Sequence, residues 1–292
     1  KQMRDAYIVG ACRTAIAKEN GALATVPPET LGAIVIKEAV KRSGLQKLEL
    51  IDEVIMGQCL GFIGNLARYS ALAAGLPMEI PAFTIDRQCG SGSTAVHLAA
   101  THIMAGVGDI YVAGGAESMT RIPYIAEKPL GFSRSAPRWV APKPLAPPEI
   151  GDPPMGITAE NVAEKWGVSR EEQDEMGYLS QIKAEKAIKE GVFKEQIVPV
   201  IIPQKKGDPI VFDTDEHPRF GTTMEALAKL KPAFKKDGTV TAGTSSGIND
   251  GAGALVLADK DKALELGMTP MARIVSFAAA GVDPNYMGIG PV

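Results

Sequence analysis

The stretch Pro81-Ala-Phe-Thr-Ile-Asp-Arg-Gln-Cys89-Gly-Ser-Gly-Ser-Thr-Ala-Val-His-Leu-Ala-Ala100 decides how this chain is read. It opens as a β-rich run, breaks at a glycine-flanked turn that carries a thiol, and continues as an apolar helix. A cysteine at the amino end of a helix meets unpaired N–H groups and the positive end of the macrodipole, which favour the thiolate, the nucleophilic form of sulfur. Cys89 is therefore the candidate catalytic residue. A buried, inert thiol is the competing reading, and it fits poorly beside Gly90 and Gly92 at a helix start.

Working outward, the apolar stretch Ala6 to Ala11 reads as a strand, and Leu31, Ile34, Val35, Ala39 and Val40 recur at helical spacing between Thr30 and Ser43. Further strands are expected at Glu53 to Met56, Ala82 to Asp86 and Asp109 to Gly114, with a helix from Leu66 to Ala74. Strands alternating with helices predict an α/β fold built of βαβ units on a mostly parallel sheet. Beyond Met119 the pattern changes, and nine prolines (123, 129, 137, 142, 144, 147, 148, 153 and 154) mark an inserted loop region. Within it, Ser169-Arg-Glu-Glu172 is a capping-box pattern opening a polar helix to about Glu190. Two β-rich runs follow, Gln196 to Ile202 and Pro209 to Asp213, and Gly238 to Leu257 is a glycine-rich turn running into a strand. Arg273 to Ala279 reads as one more strand.

The chain has 292 residues, 45% hydrophobic and 22% charged, the profile of a globular protein. A net charge of -3 gives no attraction to nucleic acid or to an anionic membrane. No run of eighteen apolar residues and no secretory leader is evident. The three cysteines, Cys12, Cys59 and Cys89, form no CxxC pair, so neither zinc nor a disulfide framework is expected and a reducing compartment is. A cytoplasmic setting follows, with an organelle matrix as the alternative because the first residue is Lys1. Cys12 and Cys59 read as small core residues of apolar strands. His97 and His102 lie along the cysteine helix about 12 and about 20 Å from the nucleophile at about 1.5 Å rise per residue, too far to serve it as a base. His217 reads as solvated.

Three blocks together resemble the thiolase family of acyl-CoA acyltransferases: Arg87-Gln-Cys89-Gly-Ser-Gly92, Gly114-Gly-Ala-Glu-Ser-Met119, and Thr239-Val-Thr-Ala-Gly243 continuing through Ser246-Gly-Ile-Asn-Asp-Gly251. Val9-Gly-Ala-Cys-Arg-Thr14 and Met155-Gly-Ile-Thr-Ala-Glu-Asn161 fit as well. The resemblance implies a layered α-β-α-β-α fold made of two similar halves, with this chain carrying the first half and an inserted loop domain and the second half absent. The expected divisions are 1–118 for the N-terminal domain, 119–247 for a CoA-binding loop domain, 248–268 for the return to the first domain, and 269–292 for the start of an incomplete C-terminal domain.

By the same resemblance Cys89 takes the acyl group as a thioester, and coenzyme A or acyl-CoA is the substrate, with no covalently bound cofactor and no metal. Ser246 and Ile248 fall where the family lines the pantetheine channel and Arg219 where a basic residue meets the adenine end; apart from the resemblance, Met155 and Met119 read either as lining an acyl pocket or as simple gap fillers. Lysines 205, 206, 229, 231, 235 and 236 form either a phosphate-meeting surface with Arg219 or a solvated face. Thr244 and Pro154 depart from the usual asparagine and histidine.

Thiolases carry Asn-Glu-Ala-Phe, Gly-His-Pro and Cys-x-Gly blocks in their second half, and none of the three is expected in this sequence. The resemblance therefore implies that a second polypeptide or a separate C-terminal portion supplies the histidine and second cysteine, within a homo- or hetero-oligomer. The helix Ser93 to Met104 is apolar over most of its circumference, which also points to a partner. Two rival readings are a non-catalytic acyl-CoA-binding scaffold subunit and a decarboxylating condensing enzyme, the latter opposed by the Thr239 to Gly251 block.

Overall fold

The computed structural model describes residues 3–61, 63–129, 136–140 and 144–292. Pro142, one of the nine prolines of the expected loop region, lies outside the described residues, as do residues 130–135. In chain order the elements are β1 (Ala6–Arg13), β2 (Ala17–Lys18), α1 (Pro28–Ser43), β3 (Glu53–Gly57), α2 (Leu66–Ala73), β4 (Ala82–Ile85), α3 (Ser91–Ala105) and β5 (Ile110–Ser118). There follow the ribbon β6 (Ala126–Glu127) and β7 (Arg138–Trp139), then α4 (Met155–Trp166), α5 (Arg170–Lys189), β8 (Val200–Ile202), β9 (Ile210–Phe212) and α6 (Met224–Ala228). The chain ends with β10 (Asn249–Asp259), α7 (Lys260–Glu265) and β11 (Ala272–Arg273). The described residues form two compact units, 1–123 with 191–217 and 248–277, and 124–190 with 218–247 and 278–292.

The first unit is a helix–sheet–helix sandwich. Its sheet runs in the order β11-β1-β10-β5-β3-β4, with β2 beside β10. One face carries α1 and α2 over a core that includes Leu31, Ile36, Val54, Met56, Leu66 and Val256. The other carries α3, whose Ala95, Ala99, Ala100 and Ile103 are fully buried against Ile55, Ala113 and Leu257. A small-residue face of this kind lets the helix lie close to the strands. Val96, Leu98 and Met104 complete the apolar girth of α3 and are half-buried against the same cluster.

The sheet is mixed, where alternation of strands and helices predicted a mostly parallel one. β3 pairs parallel with both β4 and β5, but β10 lies antiparallel between β1 and β5. The reason is topological: β10 returns after the long insertion without a crossover helix of its own, so nothing forces it into the common direction. β11 is only two residues long, where a strand through Ala279 was expected.

Residues 191–217, expected inside the 119–247 insertion, group with the sheet unit. Ile197, Val200, Ile202 and Phe212 are buried in the α1-side core. Asp215 pins the segment to β1, accepting from Arg13 Nη1 and Nη2 at 2.7 and 2.9 Å and from the Ile16 amide at 2.8 Å.

The second unit is helical. α5 opens with the capping box, Ser169 Oγ accepting from the Glu172 amide at 3.2 Å and Glu172 Oε2 from the Ser169 amide at 2.8 Å. Buried Glu160 on α4 accepts from the Thr239 amide at 2.9 Å and the Val240 amide at 2.9 Å, tying down the loop that follows α6. Residues 278–292, expected to begin a further domain, group here, with Asn161 Nδ2 donating to Asn285 O at 3.0 Å and Tyr286 edge-on to Trp166.

Candidate active site

The parallel strands β3, β4 and β5 are in register at their carboxyl ends, Gly57 pairing with both Ile85 and Gly115. That end is where open α/β sheets assemble their sites, because the loops leaving the strands converge there. Gln58 and Cys59 leave β3, Asp86 to Cys89 leave β4, and Glu117 sits at the end of β5.

Cys89 is a free, exposed thiol two residues ahead of α3. Gly90 caps the helix and no side chain does, so the first-turn amides have no side-chain acceptor. Immediately before the cysteine, Gln88 adopts φ 46, a left-handed conformation that costs a residue with a Cβ about 1–2 kcal/mol. Local bonds hold it there. Asp86 Oδ1 accepts from the Gln88 amide at 2.8 Å, and Ser91 Oγ accepts from the Arg87 amide at 2.7 Å while donating to Gln88 O at 2.6 Å. The turn also needs a bare approach from below: a Cβ on Gly57 would stand 2.6 Å from the Gly92 nitrogen and the Ser91 carbonyl carbon.

Cys59 was expected in a strand as a core residue, and the structure corrects this. It lies in the turn after β3, half-buried, with Sγ donating to Gln88 O at 3.0 Å and 3.7 Å from Ser91 Oγ. Its amide donates to Glu117 Oε2 at 2.8 Å. Burial, reinforced by the Glu117 and Asp86 charges, outweighs the Ser91 hydrogen bond and pushes its thiol up to about 11. The tripeptide Cys59-Leu-Gly61 spells Cys-x-Gly, a block expected to be missing from this sequence. Glu117 is likewise pushed up, by burial first, against the opposing pull of the Cys59 and Leu60 amides. Its Oε1 and the buried Gln58 Nε2 have no hydrogen-bond partner among the described residues. Cys12 behaves as expected: it is buried in β1, donates to Val35 O at 3.3 Å, and is pushed up to about 12, mainly by burial.

The histidines do not serve Cys89 from within α3. His97 stacks on Phe277 with ring centroids 4.9 Å apart. His102 has its Nδ1 3.9 Å from Glu53 Oε2, at the amino end of β3 and so at the far end of the sheet from Cys89. His217, expected to be solvated, is half-buried with Nδ1 3.4 Å from Asn249 Nδ2. Ile248 precedes β10 at the same end of the sheet as Cys89, since Asp250 pairs with Ser118 near the carboxyl end of β5. Three strand spacings of about 4.8 Å separate β10 from β4, about 14 Å. Ile248 is 48% exposed.

Residues 6–261 match the family model described as the thiolase N-terminal domain. The acetyl-CoA acetyltransferase of Cupriavidus necator is 52% identical over 300 residues, covering 99% of this chain and 75% of that protein. The chain belongs to the thiolase family. Solved structures of acetyl-CoA acetyltransferases from Bacillus anthracis and Syntrophomonas wolfei share its fold with TM-scores of 0.90 and 0.91 at 44% and 38% identity. They are matched over 99% of this chain and 74% and 73% of their own lengths, so this thiolase chain spans about three quarters of each. As a member of the family it is an acyltransferase.

The other candidate binding residues lie in the second unit of the thiolase chain. Met155 opens α4 and is 48% exposed. Arg219 is exposed, its amide donating to Gln181 Oε1 at 2.8 Å, which leaves the guanidinium facing solvent from a fixed backbone. Ser246 is exposed with Oγ donating to Gly247 O at 3.0 Å. Of the lysines, Lys235 pairs with Glu164 at 3.2 Å. Among the described residues no group of three or more His, Cys, Asp or Glu side chains could hold a metal ion, and no helix is long and apolar enough to cross a membrane.

Proposed function

We propose that this thiolase is an acetyl-CoA acetyltransferase working through a thioester on Cys89. The observation that carries the reading is an exposed thiol at the uncapped amino end of α3, at the converging carboxyl ends of β3, β4 and β5. The Cys89 thiolate attacks the acetyl-CoA carbonyl, the C–S bond to the enzyme forms, and CoA leaves as a thiolate that takes a proton. A second acyl-CoA then loses its α-proton to a second acid–base group, its α-carbon attacks the thioester carbonyl, and the enzyme C–S bond breaks to return the Cys89 thiolate; in reverse a 3-ketoacyl-CoA is cleaved by CoA. The Cys89 amide is a donor for the oxyanion of each tetrahedral intermediate. Arg219, Ser246, Ile248 and Met155 contact the CoA moiety. The base for Cys89 and the second acid–base group come from residues outside these 292, in a C-terminal portion on the same or a second polypeptide, within an oligomer.

The names of the relatives support this reading, and nothing favours the scaffold alternative. Cys89→Ser in the native assembly should lower acetyl transfer at least about a thousandfold while leaving CoA binding in place. Wild-type protein quenched with acetyl-CoA should yield an acetylated Cys89 peptide by mass spectrometry. Full turnover in Cys89→Ser, or acetyl found on another residue, refutes the proposal. Arg219→Glu should raise KM for CoA about tenfold with little change in kcat, because an exposed charge contact to the substrate's remote end acts on binding.

A further inference from the structure

We propose that Glu117 is a positioning residue for the nucleophile, acting through Cys59 on the Gln88–Cys89 peptide. The inference rests on the reading of Cys89 as the nucleophile. The chain of contacts is short. Glu117 Oε2, at the end of β5, takes the Cys59 amide at 2.8 Å and so fixes the turn that leaves β3. That turn delivers Cys59 Sγ to Gln88 O at 3.0 Å, and Ser91 Oγ donates to the same oxygen at 2.6 Å. The Gln88 carbonyl and the Cys89 amide belong to one planar peptide group. The Ser91 amide is a third donor to that oxygen, at 3.0 Å, and these donors also aim the N–H that points the opposite way within the plane, the group proposed to meet the oxyanion. Gln88 stands at φ 46, a conformation that relaxes unless its surroundings hold it.

The neighbouring groups give the arrangement its direction. Ser91 lies within four residues of the turn and could form in any helix start, whereas Cys59 and Glu117 come from other strands and tie the turn to the sheet. Glu117 uses one oxygen, and its Oε1 has no hydrogen-bond partner among the described residues. An amide in place of the carboxyl would keep the acceptor that matters. Asp86 and Cys59 are the other titratable groups facing Glu117, and the charge of Asp86 raises both Glu117 and Cys59.

The test compares Glu117→Leu and Glu117→Gln with wild type in the native assembly, reading the rate of iodoacetamide labelling mapped to the Cys89 peptide together with kcat and KM for acetyl-CoA. Glu117→Leu should slow both Cys89 labelling and kcat about tenfold, the effect of freeing one buried hydrogen-bonding group, with KM unchanged. Glu117→Gln should restore both to within about threefold. Should Glu117→Leu fail to fold, Cys59→Val removes only the thiol donor and carries the same expectation, with Cys59→Ser as its rescue. A folded Glu117→Leu or Cys59→Val protein with wild-type labelling and kcat overturns the inference, and so does loss that the conservative variant does not recover. If wild-type Cys89 resists iodoacetamide or Cys89→Ser keeps full turnover, the nucleophile reading itself has failed; labelled wild-type Cys89 with unaffected Glu117 and Cys59 variants leaves that reading standing and removes only this one.

Discussion

A left-handed glutamine beside the exposed Cys89 thiol is an unusual expenditure of backbone strain, because glycine would take φ 46 at no steric cost. Its retention follows from the bonds around it: Ser91 Oγ satisfies both the Arg87 amide and the Gln88 carbonyl. Ser91→Ala removes both contacts at a buried position and should destabilise the protein by about 1–3 kcal/mol, read as a lowered denaturant midpoint, with slower labelling of Cys89 alongside. An unchanged midpoint would show that the Ser91 amide and Cys59 Sγ suffice for the Gln88 carbonyl and that the Arg87 amide finds another acceptor. At this scale the sequence was informative where chemistry is local. Glycines and a helix start nominate Cys89 as the candidate, and its thiol lies exposed two residues ahead of α3. Cys59 was misread because its role depends on contacts with Gln88 and Glu117, 29 and 58 residues away, and no local pattern carries that proximity.

The elements meet at glycines where any side chain would intervene. Gly57, the last residue of β3, lies under the first turn of α3, and an added methyl would stand 2.6 Å from two backbone atoms that cannot swing aside. Gly57→Ala should lift the amino end of α3 off the sheet, costing about 1–3 kcal/mol of stability and reducing kcat more than KM, since it displaces the proposed nucleophile and not the proposed CoA contacts. Urea unfolding together with steady-state kinetics separates these effects; a stable variant with normal kcat would mean that α3 tolerates the shift. Element positions were largely legible, because hydrophobic period and caps are written in contiguous residues, as the Ser169 to Glu172 capping box shows. Strand direction was not. β10 lies antiparallel to both of its long neighbours, and that follows from how the chain re-enters after more than a hundred residues, which periodicity does not encode.

For the whole molecule, the buried acids determine how stability responds to alkali. The Cys12 thiol is raised from 9.0 to about 12, chiefly by burial, and the Cys59 thiol to about 11. In the unfolded chain both lose their protons near pH 9, while the folded chain holds them until pH 11 or 12. Between those limits the unfolded state binds fewer protons, so stability is full below about pH 9 and falls as pH rises through the folded values. Cys12 alone should account for about 3 kcal/mol of that loss by pH 11, although lysine and tyrosine titration contribute to the same limb. Comparing Cys12→Val with wild type isolates its share: the variant's unfolding midpoint should fall less steeply between pH 9 and 11, with little difference between the two slopes from pH 6 to 8. Parallel curves across the alkaline range would mean that the β1 thiol ionises in the folded protein as readily as in the unfolded one, against its burial between β1 and α1.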